Sequence, residues 1–344
     1  MKVLMPFNNV GEVKKLIEMG ADEFYCGVPF LNKNRKFFYF NARVYSYANL
    51  KGFEELKEAV AIIADYNKKI YLCANRYPTM SDMQMLLDNI GAAIEIGIGG
   101  VIIADHTLIP YIKKMSTSCK IILSCLNPCF NTEALKFFKS LSVDRIILPR
   151  QLTLGEIALL SETAYHIKLE LEVFLTNITC RNINGHCLMC KAWKNSIFDL
   201  LPRLVKTAFR ESMKKKYTFN PFGVACRDTG TLEITAKEKN AYNIMLLKIF
   251  SLDKNILRYC ALCSLYFLKK CNITSVKIVG RGFTRQKKIQ DLSAVGMYLN
   301  AINDGIINDD NCLEIGKRIY KNIYNRECHI KECFHYEVYQ RRNS

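Results

Sequence analysis

Eight short apolar runs, each parted from the next by residues of helical periodicity, constrain this chain more than any other feature. They are KVLMPF from Lys2, EFYCGV from Glu23, KIYLCAN from Lys69, GVIIAD from Gly100, KIILSC from Lys120, RIILP from Arg145, LELEVF from Leu169 and SVKIVG from Ser275. Amphipathic segments lie between them. FEELKEAVAIIADY from Phe53 and NTEALKFFKSL from Asn131 repeat apolar residues at i, i+3, i+4 and i+7. Ser81 and Asn131 are placed to cap helices, since their short side chains accept the unpaired amide hydrogens of a first turn. Alternating strands and helices imply right-handed crossovers and a parallel sheet. Eight such units in 344 residues predict an α/β fold of the (β/α)8 TIM-barrel type rather than an open doubly wound sheet. The loop MPFNNVGEVKK after the first strand lacks GxGxxG, which argues against dinucleotide binding.

The seventh and eighth runs lie about a hundred residues apart. The spacing predicts a barrel over 1–303, a long excursion over 176–274, and a C-terminal helical tail rich in Cys and His over 304–344. An excursion after a barrel strand leaves from the C-terminal face, where such barrels build their active sites. Residues just past the strand ends are therefore candidates: Asn75, Arg76, Asp105, His106, Ser124, Arg150, Asn177 and Arg281. A guanidinium at a barrel mouth suits a carboxylate, so Arg150 leads, with Arg43 and Arg281 as further substrate-binding candidates. His106 offers a general acid or base. Glu172 lies within the seventh strand, where alternation turns it inward and a carboxylate needs a partner. Catalytic roles are thus assigned to Arg150, His106 and Glu172. No HExxH or GxSxG motif provides a familiar hydrolase mechanism.

Fifteen cysteines suggest disulfides at first sight, but half of the residues are hydrophobic and a core needs no covalent staples. Cys26 and Cys73 sit inside strand runs as small buried hydrophobes. No signal-type apolar stretch opens the chain, and no run of ~18 apolar residues predicts a membrane span. A reducing cytoplasm fits this usage. Cys180, Cys187 and Cys190 follow the seventh strand, and Cys226, Cys260 and Cys263 come later in the excursion. Such thiolates bind iron–sulfur clusters or zinc. By spacing alone, Cys187, Cys190, Cys260 and Cys263 form two Cys-x2-Cys pairs suited to zinc. In the tail, Cys328, His329, Cys333 and His335 crowd into eight residues, which suits packing better than tetrahedral coordination. The net charge of +17 admits a polyanionic partner or a lineage bias in composition.

Five segments stand out: VGEVKKLIEMGADEFYCGVPF, FNARVYSYANLKGFEEL, LPRQLTLGEI, LEVFLTNITCRNINGHC and SVKIVGRGFTRQ. Together they resemble the peptidase U-32, or collagenase-like peptidase, family. The fourth carries the Glu-x-Phe strand and the Cys-x6-Cys pair. Gln151 and Val279 depart from the family pattern, which has acids there. The resemblance, over about Val3 to Asn303, implies a barrel and a 4Fe-4S cluster. Carried over residue by residue, the ligands are Cys180, Cys187, Cys226 and Cys263, with Cys190 and Cys260 as competitors and zinc as the alternative metal. It further implies oxygen-independent hydroxylation of an aromatic small molecule or of RNA, with prephenate as oxygen source. A peptidase and a non-catalytic partner of a paralogous subunit are the alternatives.

Overall fold

The computed structural model describes residues 1–31, 37–43, 46–177, 183–185 and 259–340. All eight runs are strands: β1 (Lys2–Pro6), β2 (Glu23–Cys26), β3 (Lys69–Ala74), β4 (Gly100–Ile103), β5 (Lys120–Leu123), β6 (Arg145–Ile147), β7 (Glu170–Phe174) and β8 (Ser275–Lys277). They close into a parallel barrel in chain order, with β8 pairing back to β1. Helices α1 (Val13–Glu18), α2 (Phe53–Asp65), α3 (Met83–Ile96), α4 (Ile109–Met115), α5 (Thr132–Ser140) and α6 (Leu154–His166) follow the first six strands in turn. α7 (Leu265–Lys270) precedes β8, and α8 (Arg285–Asn303) and α9 (Cys312–Tyr324) follow it. The architecture is a (β/α)8 TIM-type barrel.

Both faces of each strand are covered, which is why the runs read as almost continuously apolar. Leu4, Tyr25, Tyr71, Ile102, Ile122 and Phe174 face inward. Their neighbours Val3, Phe24, Leu72, Val101, Ile121 and Val173 pack outward in the helix-covered core. Cys312 and Leu313 of α9 join that outer core, so the C-terminal segment packs on the barrel. Asn131 caps α5 as its sequence suggests, accepting from the Ala134 amide at 2.8 Å. Ser81 does not cap α3. The position before that helix is Asp82, which makes no side-chain cap, while the Ser81 hydroxyl bonds to Thr79.

The N-terminal half of the barrel interior is charged. Arg145 is fully buried, and Nη1 and Nη2 donate to Glu23 at 2.6 and 3.0 Å. Its Nε donates to Glu170 at 2.7 Å and Nη1 to Glu172 at 3.1 Å. Lys277 donates to Glu172 at 3.0 Å and lies over the Tyr25 ring. Lys2 and the Tyr71 hydroxyl bind Glu23 at 3.0 and 2.9 Å, and Lys120 binds Glu170 at 2.6 Å. Charges out of water are tolerated only when paired in this way.

Burial alone would raise the Glu23 carboxyl, but the bonds to Arg145 and then Lys2 outweigh it and hold it at about 2. A carboxyl whose folded pKa is depressed adds stability above its unfolded pKa and loses it as pH falls. Stability is therefore expected to drop between about pH 4.5 and 2. The contribution of this one group is on the order of 3 kcal/mol. Urea melts across that range should show the drop, and Glu23→Gln should flatten it; an unchanged slope in the variant contradicts the assignment.

Candidate functional site at the barrel mouth

Arg150 lies three residues past the end of β6, and the turn that follows leads into α6. Thr153 accepts from the Glu156 amide at 3.2 Å, and Glu156 accepts from the Thr153 amide at 2.7 Å, a capping box that starts α6. The Arg150 guanidinium stacks on Phe174, with Cζ 3.6 Å from the ring centroid. Its Nη1 lies 4.0 Å from Cys125 Sγ, and its Nε is buried without a hydrogen-bond partner among the described residues. An unpaired buried donor costs about 1–3 kcal/mol, so a ligand that accepts from it recovers that cost. A carboxylate matches the planar fork.

Arg281 and Arg43 meet through two asparagines. Arg281 is buried; its Nη2 donates to Asn41 Oδ1 at 2.7 Å and its Nη1 to Asn49 Oδ1 at 3.2 Å. Asn41 Oδ1 also accepts the Arg43 amide at 2.9 Å, and Asn49 Nδ2 donates to the Arg43 carbonyl at 2.7 Å. Arg281 thus grips the backbone of Arg43. Both cations act on the buried Tyr25 hydroxyl, whose pKa burial and then the Cys73 thiol raise and the arginines partly restrain. Gly27 makes room for this clamp: a Cβ there would lie 2.1 Å from Arg281 Nη1 and 2.2 Å from Asn49 Oδ1. Gly27→Ala is expected to cost about 1–3 kcal/mol by overpacking. Amide exchange at Arg43 should speed up with it; unchanged exchange and melting contradict the clamp.

The remaining sequence candidates lie elsewhere. His106 faces α5, edge-on to Phe137 and Phe138 at 6.1 and 6.2 Å, with Nδ1 3.1 Å from the Asn127 amide nitrogen. Glu172 sits deep in the interior with Arg145 and Lys277 as partners. Asn75 accepts from the Ala42 amide and donates to Ser124, tying the rim between β3 and β5. Arg76 donates to the Tyr39 carbonyl, and Asp105 caps its own turn through the Thr107 amide. Asn177 donates to Asp291 at 2.8 Å and to the Val279 carbonyl at 2.9 Å, joining the β7 exit to α8. Val279 belongs to the apolar interior cluster, where the family pattern has an acid. Cys125, Asn41 and Asn49 are site residues that the sequence did not single out, and Phe174, the aromatic of the Glu-x-Phe strand, had no site role assigned there.

Cys180, Cys187, Cys190 and Cys226 lie outside the described residues. Between Cys180 and Cys187 in sequence, Ile183–Gly185 is described. Asn184 Nδ2 donates to Cys125 Sγ at 3.2 Å, and Gly185, at φ 85°, presses so closely on Leu126 that a Cβ would lie 1.8 Å from its carbonyl oxygen. Cys260 pairs across from Thr176 at the β7 exit, and its Sγ accepts the Leu262 amide at 3.2 Å. Cys263 is buried; its Sγ lies 3.9 Å from the Leu313 carbonyl oxygen. The Cys333 backbone forms an isolated parallel β-bridge with that of Cys260, and both thiols are free. Burial and then neighbouring thiols push Cys260 and Cys263 up. These sulfur donors have the softness an iron–sulfur cluster or zinc requires. Among the described residues alone, no three His, Cys, Asp or Glu side chains group to hold a metal ion.

The model of peptidase family U32 matches residues 8–342. The chain belongs to peptidase family U32. This U32 chain is 30% identical over 192 residues to the uncharacterized protease MJ0090 of Methanocaldococcus jannaschii, covering 55% of this chain and 43% of that protein. It is 25% identical over 188 residues to tRNA hydroxylation protein P1 of Bacillus subtilis, covering 55% and 41%. Tested against solved structures, it aligns with the U32 peptidase Mk0906 at a TM-score of 0.47 and 11% identity, covering 81% of this chain and 93% of that one. The U32 chain spans less than half the length of the two sequence relatives named. Among its described residues, no helix is long and apolar enough to cross a membrane.

Proposed function

We propose that this U32 barrel is a hydroxylase-type enzyme that acts on RNA or an aromatic small molecule and binds a small carboxylate at Arg150. The observation that carries the reading is the Arg150 guanidinium, stacked on Phe174 at the mouth with a buried, unpartnered Nε. The name of the Bacillus subtilis relative, a tRNA hydroxylation protein, supports the reaction class. Val279 in place of an acid leaves the mouth interior more favourable to an anion. Prephenate is the carboxylate that the family resemblance implies.

Cys180, Cys187, Cys226 and Cys263 would hold a 4Fe-4S cluster, with Cys190 and Cys260 as rival ligands and zinc as the alternative metal. When bound, such a cluster supplies electron transfer and an acidic iron. The chain's own part is positional: Arg150 orients the carboxylate, Phe174 shields one face of the guanidinium, and Arg281 holds the Arg43 loop through its asparagines. A peptidase reading has weaker support, because it lacks an accessible nucleophile–base pair among the described residues. Ser264 and His335 are hydrogen-bonded at 3.0 Å but both are buried, and burial lowers the imidazole to about 4.

Anaerobic purification followed by iron, sulfide and zinc analysis tests the metal centre. Wild-type protein is expected to contain iron and sulfide, about four of each per chain, with a broad visible band. Cys180→Ala and Cys226→Ala should lose both while Cys190→Ala keeps them. Colourless protein with stoichiometric zinc would sink the cluster, and loss in Cys190→Ala but not Cys226→Ala would reassign the third ligand.

A further inference from the structure

The Arg150 site contains a nucleophile that the hydroxylase reading does not use. Cys125 follows β5 and shares the barrel-interior cluster with Cys73, Phe174 and Val279. It is a free thiol, 7% exposed. Two N–H donors converge on its sulfur: Arg150 Nη1 at 4.0 Å and Asn184 Nδ2 at 3.2 Å. Sulfur in this arrangement is an acceptor for both donors, and the guanidinium charge stands beside the atom that an anionic electrophile would have to reach. A core cysteine that merely fills space has apolar neighbours and no cation. The second observation is independent of the sulfur: among the described residues the Arg150 Nε is a buried donor with no partner, so the same guanidinium has hydrogen-bonding capacity left for an anion.

We propose that Cys125 is a substrate-facing nucleophilic thiol, and that Arg150 gathers a short carboxylic acid with an electrophilic carbon against it. This rests on the reading of Arg150 as a carboxylate receptor. Asn184 steadies the sulfur from the excursion side, and Phe174 fixes the guanidinium from below. Iodoacetate is the probe of this class. The Cys125 sulfur forms a bond to the methylene carbon, the carbon–iodine bond breaks, iodide leaves with the electron pair, and the thiol proton passes to water. No oxidant or reductant takes part.

The full-length native protein is treated in parallel with iodoacetate and with neutral iodoacetamide, and the Cys125 peptide is followed by mass spectrometry. Each rate is divided by the rate of the same reagent with glutathione. The geometry predicts an iodoacetate preference at Cys125 of about tenfold or more, the size expected when a fixed charge concentrates a counter-ion locally. Acetate should slow iodoacetate labelling, and Arg150→Lys should reduce the preference without abolishing iodoacetamide labelling. Cys125 that resists both reagents in the native protein, yet labels after denaturation, overturns the thiol while leaving carboxylate binding at Arg150 to stand on its own titration. Labelling by both reagents at equal normalised rates overturns the guidance by Arg150, and with it the receptor reading. The wild-type comparison needs no variant to fold.

Discussion

Arg145→Met is expected to destabilise the barrel by about 3–5 kcal/mol, the cost of leaving buried carboxylates without their cation. Arg145 binds Glu23, Glu170 and Glu172 together, and Glu23 and Glu172 have almost no access to water. Lys2, Lys120 and Lys277 each reach one of these carboxylates, so the charge loss is shared but not repaired. Against a typical total stability of about 5–15 kcal/mol, such a loss brings the variant close to unfolding at ambient temperature. Adding Glu23→Gln and Glu172→Gln removes two stranded charges and should recover part of the loss. Urea denaturation of the three proteins measures this directly. A single-variant loss below about 1 kcal/mol would mean that water enters the barrel floor and screens the network.

Arg150→Met is expected to weaken prephenate binding by about 2–3 kcal/mol, or ~30–150-fold in Kd, with little change in melting. Arg150 contributes a cation and a planar fork to the mouth, but among the described residues its Nε has no partner whose loss would destabilise the fold. Arg150→Lys should recover charge but not the fork or the stacking on Phe174, and so only part of the affinity. Calorimetric titration distinguishes the three proteins. Equal affinities would show that the carboxylate binds elsewhere, with the Arg43 loop held by Arg281 as the next place to look.

The eight strands were legible because both-face burial writes each one as a compact apolar run, and the helices between them have a different period. Arg150 was legible for a related reason: the end of a barrel strand is a position readable from sequence. Partners across the barrel were not. Arg145 and Glu23 are 122 residues apart, and nothing in the local pattern of either points to the other. Glu172 read as a candidate with an unknown partner; its neighbours Arg145 and Lys277 come from β6 and β8 and meet it only when the barrel closes. His106 follows a strand end like Arg150, yet its short turn swings it towards α5. Asn41 and Asn49 looked like ordinary loop amides, because their shared grip on Arg43 depends on Arg281 from the far end of the chain.

The central claim concerns oxygen-atom transfer, and nucleoside mass spectrometry tests it most directly. Anaerobically purified full-length protein would be incubated with unmodified tRNA and prephenate in the absence of oxygen, beside Arg150→Met and a no-protein control. The account predicts a nucleoside heavier by one oxygen in the wild-type reaction and its loss in the variant. Iron-loaded protein that leaves tRNA unchanged but cleaves a peptide library would contradict it.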